Sequence, residues 1–330
     1  MTANRMPPAD EPVDAVYTWV DDSFPGYLDE LNRFVADKRD PNPNRTRDNL
    51  DLLKYSLRSL AANAGFFRRI YILSCRPQVP RWLDVSHPRI RVVHHDEVMR
   101  PDLLPVFNSF AIVSHLHLLP GLSRRFVYFE DDMLAPAGFD LSRFSDAQGR
   151  ALLFTRGAWT KTRAELDAAR SSPWNLAMAT AGEALDRAFG GRRRRHVVHG
   201  PRLIDRDIFA EMVERFPAEI EATRRSRFRA DGNVPCEYLY PHFLRESGRG
   251  EEASRAGSRR MEGYASLENF LPWSWAQLRL LEWRRPWSIT LNDSFGQKPN
   301  PAVARHVRAT LERWFPQPSP FELGAHGGTL

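Results

Sequence analysis

Phe126-Val127-Tyr128-Phe129-Glu130-Asp131-Asp132 is the stretch on which the fold turns: four apolar, strand-forming residues that run without a break into three carboxylates. An apolar run of this kind reads as a buried strand, and its abrupt acidic end reads as the point where the strand leaves the core. The same form occurs twice more. Val13-Asp14-Ala15-Val16-Tyr17-Thr18-Trp19-Val20 leads into Asp21-Asp22, and Trp287-Ser288-Ile289-Thr290-Leu291 leads into Asn292-Asp293. Between the first two lie strand patterns at Arg69–Ser74 and Ile90–His94. A helical pattern carries Leu50, Leu53, Leu57, Leu60 and Ala61, with Asp48 or Asn49 as its cap and Gly65 as its stop, and a second helix is expected from Asn108 to Leu119. Strands alternating with helices predict an α/β fold: a mostly parallel central sheet with helices on both faces. Ligands of such sheets bind beyond the carboxyl ends of the strands, so the acidic ends converge on one edge although they are far apart in the chain.

Outward from this core, the chain divides into a flexible N-terminus at 1–12, an α/β half at 13–138 and a helical insertion or lid at 139–195. A second half at 196–300 completes the site, and a C-terminal helix and tail occupy 301–330. The insertion is expected to hold helices at Lys161–Ala169 and Trp174–Phe189, followed by the run Arg192-Arg193-Arg194-Arg195, solvated or in soft contact with an anionic lipid-linked glycan. A helix near Asp205 presents Ile208, Phe209, Met212, Val213 and Phe216 until Pro217 interrupts it. Glu246–Ala265, polar and rich in Gly and Ser, reads as a long surface loop. The helix from Pro301 turns Val303, Val307, Leu311 and Trp314 to one side, and the last dozen residues read as frayed.

Composition narrows the function classes. The 330 residues are 42% hydrophobic and 27% charged, with nine Trp, which excludes global disorder. No apolar run approaches the ~18 residues of a membrane span, and the polar, proline-broken start is unlike a secretory signal, so a cytoplasmic protein is expected. Cys75 and Cys236 are the two cysteines, too few for a disulfide framework or a zinc-ligand spacing. The net charge of +6 rests on Arg, since Lys38, Lys54, Lys161 and Lys298 are the four lysines. Arg grips phosphate bidentately, which favours a phosphate-bearing ligand. Nucleic acid is not expected, because no finger, RNP or basic-zipper pattern accompanies the charge.

The chemistry resides in the strand ends. Consecutive carboxylates repel one another unless a cation relieves them, and hard divalent ions take such oxygen ligands. In extended backbone Glu130 and Asp132 share a face that Asp131 opposes. Each acidic pair alone could be a turn. Three of them favour a metal-phosphate centre, with Asn292 as a neutral partner. His199, in the Gly-Pro-flanked loop before a helix, is placed to face a cleft and titrate near neutrality, and His196 is an equal candidate. Arg227 and Arg229 lie on one side of an extended segment and suit phosphate oxygens.

Taken together these segments resemble the Stealth family of sugar-phosphate transferases, which includes bacterial capsular polysaccharide phosphotransferases and the catalytic subunit of GlcNAc-1-phosphotransferase. Asp14-Ala15-Val16-Tyr17-Thr18-Trp19-Val20-Asp21 is similar to the opening block. Arg47-Asp48-Asn49 through Tyr55-Ser56-Leu57-Arg58-Ser59, Val79–Leu83, Leu104–Ser109 and Phe126–Met133 resemble the second. His199–Arg206 through Arg227-Phe228-Arg229 resembles the third, and Leu291-Asn292-Asp293 the fourth. Glu130 stands where the family usually has Asn, and Val113 where an acid is usual.

The resemblance implies a nucleotide-sugar transferase-like (GT-A-like) sheet and transfer of a sugar-1-phosphate from a nucleotide-sugar donor to a hydroxyl of a glycan or lipid-linked glycan acceptor. It implies Mg²⁺ or Mn²⁺ held by Asp131, Asp132 and Asp293, with catalytic roles for His199, Asp21 and Asp131; the general base is His199 or one of the Asp. It further implies substrate or phosphate contacts from Arg47, Arg58, Asn108, Ser109, Arg206, Arg227, Arg229 and Asn292. Capsule or exopolysaccharide synthesis at the inner face of the membrane, by peripheral contact with a membrane-linked acceptor, is the setting that the bacterial members suggest. The rivals are a metal-dependent glycosyltransferase releasing nucleoside diphosphate and a non-catalytic nucleotide- or glycan-binding relative.

Overall fold

A computed structural model describes residues 11–34, 50–295 and 298–324. The first half of the chain lays down β1 (Val13–Thr18), α1 (Tyr27–Asn32), α2 (Leu52–Asn63), β2 (Ile70–Ser74), β3 (Ile90–His94), α3 (His95–Val98), α4 (Ser109–Val113), β4 (Arg125–Glu130) and β5 (Met133–Leu134). Next come β6 (Ala151–Leu153), β7 (Thr155–Trp159), α5 (Pro173–Phe189), β8 (Arg195–Val197), β9 (Arg202–Asp205), α6 (Arg206–Arg215), α7 (Pro217–Arg225) and α8 (Cys236–Glu246). The chain closes with β10 (Gly250–Glu252), α9 (Arg255–Met261), β11 (Gly263–Leu267), α10 (Leu271–Arg284), β12 (Ile289–Asp293) and α11 (Pro301–Trp314).

The central sheet has the order β3-β2-β1-β4-β9 and is parallel except for β9. Both faces are buried, which is why β1, β2 and β4 read as unbroken apolar runs rather than as alternation. Val16, Tyr71, Phe126 and Tyr128 project into the core shared with α4 to α8, while Ala15, Tyr17, Ile72 and Phe129 project into the core under α2. The mostly parallel α/β fold expected from the sequence is therefore present. A second, three-stranded sheet, β11-β12-β5, has its own core against α10 and α11.

Several local expectations are corrected. Lys161–Ala169 holds a single 3-10 turn at Arg163–Glu165 instead of a helix. Glu246–Ala265 is not a loop: β10 pairs with β6, β11 pairs with β12, and α9 lies between them, so long-range pairing overrides the Gly and Ser content. The tail is docked as far as Gly324, with Phe321 fully buried and Glu322 bridged to Leu83, because a large ring and an acid find partners under α2. In the arginine run, Arg194 is buried between Asp186 and Glu246 rather than solvated. The second helix stops at Val113 and continues as a 3-10 turn at Leu116–Leu118. The expected cap residues Asp48 and Asn49 lie outside the described residues; α2 begins after Asp51, which has a positive φ of 57°.

Candidate active site

The topology explains why the acidic residues meet an imidazole. β4 ends at Glu130 and the chain crosses directly into β5, so Glu130, Asp131 and Asp132 form the junction between the two sheets. β12 runs antiparallel to β5, with Thr290 opposite Met133, and its last residues, Asn292 and Asp293, therefore arrive beside Asp132. β9 runs antiparallel to β4 with Arg202 opposite Tyr128. This single reversal delivers the start of β9, and the His199-Gly200-Pro201 turn before it, to the carboxyl edge of the parallel strands. The Thr290 hydroxyl donates to the His199 carbonyl at 3.1 Å and ties that turn to the second sheet.

At this edge His199 Nε2 lies 3.4 Å from Glu130 Oε2, and Arg202 Nη1 lies 3.6 Å from Glu130 Oε1. Glu130, Asp132 and His199 each place one ligand atom within 4.8 Å of the others. Asp132 Oδ1, His199 Nε2, Arg202 Nη1 and Glu237 Oε2 are all buried without a hydrogen-bond partner. His199 Nε2 and Arg202 Nη1 lie at ion-pair distance from Glu130, so Asp132 Oδ1 and Glu237 Oε2 are the atoms left for a bound ligand to satisfy.

The electrostatics push neighbouring groups apart. Burial by itself would raise the Glu130 carboxyl, but His199, Arg202 and Arg229 outweigh it and hold Glu130 below the usual carboxylate range. Burial raises Asp132, with Glu130 and Asp293 adding to the rise and His199 opposing it. Burial disfavours the charged imidazole of His199, yet Glu130 and Asp132 more than compensate and raise its affinity for a proton. Glu237, in the first turn of α8, is pushed up to about 7 by burial, with Glu130 adding to it. Carboxyls with such divergent proton affinities around one imidazole make acid–base work possible.

Two carboxylates and an imidazole with orphaned donor atoms form a cluster able to hold a divalent cation. The structure also fits an imidazole that carries a proton for Glu130, which competes with its use as a ligand. In that case Asp132, which senses the charge of Asp293, remains as a carboxylate able to meet a cation.

The other expected residues fall into three groups. Arg229 reaches the site electrostatically, stacks on Phe110 and donates to Ser109 Oγ at 2.7 Å. Arg227 lies over the Phe34 ring. His196 lines the same cleft as His199, with Arg156, Trp174, Arg202 and Glu237, but burial and Arg156 lower its proton affinity.

The side chains of a second group make hydrogen bonds within the protein. Asp21 forms a turn with Ser23, accepting from its N–H at 2.9 Å and its hydroxyl at 2.8 Å. Asn108 is fully buried, caps α4 and donates to Ser226 O and Asn233 Oδ1. Asn292 donates to Ser294 Oγ at 2.8 Å, and Asp293 accepts from the Phe295 N–H at 2.9 Å.

Arg58 and Arg206 are not brought to the site. Arg58 is buried in a bidentate pair with Glu322. Arg206 follows the far end of β9 and donates to the Leu122 carbonyl. Arg47 lies outside the described residues.

Sequence reasoning did not single out Arg202, Glu237 or a partnership between Glu130 and His199. Arg202 could have been found from its position three residues after His199 had the reversal of β9 been anticipated. Glu237 carries no local signal, since only the packing of α8 buries it.

Comparison with known proteins adds the following. Residues 45–152 match the model of Stealth protein CR2, conserved region 2, and residues 198–246 match that of Stealth protein CR3, conserved region 3. The chain is 30% identical over 316 residues to the capsular polysaccharide phosphotransferase SacB of Neisseria meningitidis serogroup A, covering 94% of this chain and 57% of that protein. It is 33% identical over 323 residues to the exopolysaccharide phosphotransferase CpsY of Mycobacterium tuberculosis, covering 94% and 58%. An exopolysaccharide phosphotransferase of Streptomyces coelicolor is 32% identical over 329 residues, covering 95% and 52%. The chain thus spans little more than half the length of these relatives. Among solved structures, the galactosyltransferase LgtC in complex with donor and acceptor sugar analogs aligns with a TM-score of 0.42 at 10% identity, covering 92% of this chain and 96% of that one.

Proposed function

The chain belongs to the Stealth family, and from that premise we propose that it moves a hexose-1-phosphate from a nucleotide-sugar to a hydroxyl of an acceptor glycan, in capsule or exopolysaccharide synthesis. The observation that carries this reading is the convergence of Glu130, Asp132, His199 and Arg202 at the carboxyl edge of the central sheet.

In this reaction the acceptor oxygen forms a bond to the phosphorus that bears the sugar. The bond from that phosphorus to the bridging oxygen breaks, and a nucleoside monophosphate leaves with the electron pair. His199 is the base. Its Nε2 faces Glu130 Oε2, which leaves Nδ1 to take the acceptor's proton, and Glu130 stabilises the resulting imidazolium. Arg202 and Arg229 face the charge that spreads over the phosphoryl oxygens. Mg²⁺ or Mn²⁺ would be held by Asp132 with Asp131 and Asp293, where it would neutralise diphosphate charge. Arg227 and Ser109 border the donor.

The test is to incubate the protein with UDP-, GDP- and CMP-linked sugars, a divalent cation and a glycan mixture, and to identify the released nucleotide. Nucleoside monophosphate from a UDP- or GDP-sugar, with phosphate retained in the glycan, is the expected result. Nucleoside diphosphate would mean attack at the anomeric carbon and would overturn the phosphoryl-transfer reading. Affinity for nucleotide-sugar without turnover across the panel would favour a binding protein.

A further inference from the structure

α10 has the sequence Leu271-Pro272-Trp273-Ser274-Trp275-Ala276-Gln277-Leu278-Arg279-Leu280-Leu281-Glu282-Trp283-Arg284 and is apolar on two opposite sides. Ser274, Leu278 and Leu281, at helical spacing, form the buried side; the two leucines join the core that Val303, Val307 and Leu311 of α11 share. The opposite side carries Trp273, Leu280 and Trp283 at positions i, i+7 and i+10, all facing solvent, with Trp283 80% exposed. Trp275 flanks this stripe, and Phe270, 62% exposed, extends it past the helix start. An ordinary surface helix is polar on its outer side. Three exposed Trp on one helix need an occupant.

Charge indicates which occupant. Arg279, Arg284 and Arg285 are exposed around the stripe, and Arg284 donates to the Arg259 carbonyl, which adds Arg259 and Arg260 of α9 to the same corner. The single acid of the helix, Glu282, is engaged by Arg279, Arg313 and the Trp314 indole. Indole rings bordered by more guanidinium groups than carboxylates suit the headgroup level of an anionic bilayer, where Trp buries its ring and Arg meets lipid phosphate. A second copy of this chain would bring the same excess of Arg to the same face, so self-pairing through α10 is disfavoured.

We infer that α10 is a membrane-surface helix, lying in the plane of an anionic bilayer with Phe270, Trp273, Leu280 and Trp283 inserted at the interface. The placement also bears on the proposed function and rests on that reading only here. β11 ends at Leu267, opposite Asp293, and α10 begins four residues later. The start of the helix thus adjoins the edge that carries the catalytic cluster, and a lipid-linked acceptor would reach that edge along the membrane surface.

The experiment is co-sedimentation of the purified chain with vesicles of phosphatidylcholine alone and of phosphatidylcholine with about one-third phosphatidylglycerol, the proportion chosen to set a negative surface potential. Binding to the anionic vesicles, little binding to the neutral ones, and release at about 0.5 M salt are expected. Trp273→Ser combined with Trp283→Ser should weaken binding about tenfold or more, and Arg259→Gln with Arg285→Gln should weaken it by a smaller factor. Trp283→Ser alone, at the most exposed position, guards against a folding defect in the double variant, and an unchanged urea melt is the control. No binding, binding that survives the Trp substitutions, or self-association abolished by them would each overturn the inference. Turnover of a water-soluble acceptor should be unaffected by these variants, so failure of vesicle binding is distinguishable from failure of the proposed activity.

Discussion

Two groups of residues at opposite edges of the central sheet treat buried charge in opposite ways. At the amino edge, Asp14 at the start of β1 is completely buried yet accepts from Arg68 Nε at 2.9 Å, Arg68 Nη2 at 2.6 Å, the Arg69 N–H at 3.1 Å and the Ser123 N–H at 2.8 Å. Every oxygen is used. At the carboxyl edge of the same strands, Asp132, His199, Arg202 and Glu237 bury polar atoms that have no hydrogen-bond partner. A satisfied buried charge holds a fold together, whereas unsatisfied ones of both signs gathered at one edge mark a candidate site. Family resemblance alone would not separate these two acidic positions, since Asp14 and Asp132 both fall within its matching blocks.

Removal of His199 should have the largest effect. His199→Ala should lower turnover by ~10²–10⁴, the contribution of a positioned base, while leaving the urea midpoint near that of the parent. Near-normal turnover would remove His199 from the role of base. At the other edge the effect should reverse. Asp14→Ala strands the buried Ser123 and Arg69 N–H groups and leaves Arg68 without its partner, which should cost about 3 kcal/mol of stability. The residual folded protein should keep its rate per molecule. A rate loss larger than the folded fraction explains would mean that the amino edge also contributes to the site.

These two edges were not equally legible. That Phe129 runs into carboxylates, and that Asp21 and Asp293 also lie at strand ends, can be read from periodicity, because an apolar run gives way to charge where the strand leaves the core. That His199 joins Glu130 depends on β9 reversing against an otherwise parallel sheet, and no local pattern in Arg202–Asp205 announces a strand of either direction. Arg58 and Arg206 illustrate the converse. Each has the side chain that phosphate would select, but Arg58 is consumed by Glu322, 264 positions away in sequence, and Arg206 lies past the wrong end of β9. Residue type was readable in the sequence, whereas the partner that uses up a residue's charge was not.

Glu237 poses the same question within the carboxyl edge. If its burial is an unsatisfied cost rather than a structural asset, stability should fall as it ionises. Its folded-state value is raised to about 7, whereas the unfolded chain should titrate near ~4.3. Between those values the native state binds more protons than the unfolded state. Stability from this group is therefore greatest below the unfolded value, declines as pH rises through the folded value, and levels off above it. Glu237→Gln should abolish that decline and, at pH 8, raise stability by roughly 2 kcal/mol. Urea melts at pH 5 and pH 8 on both proteins measure the difference. A Gln variant less stable than the parent at pH 8 would show that ionised Glu237 is already satisfied, and would place it with Asp14 among the residues that hold the sheet rather than with those of the candidate site.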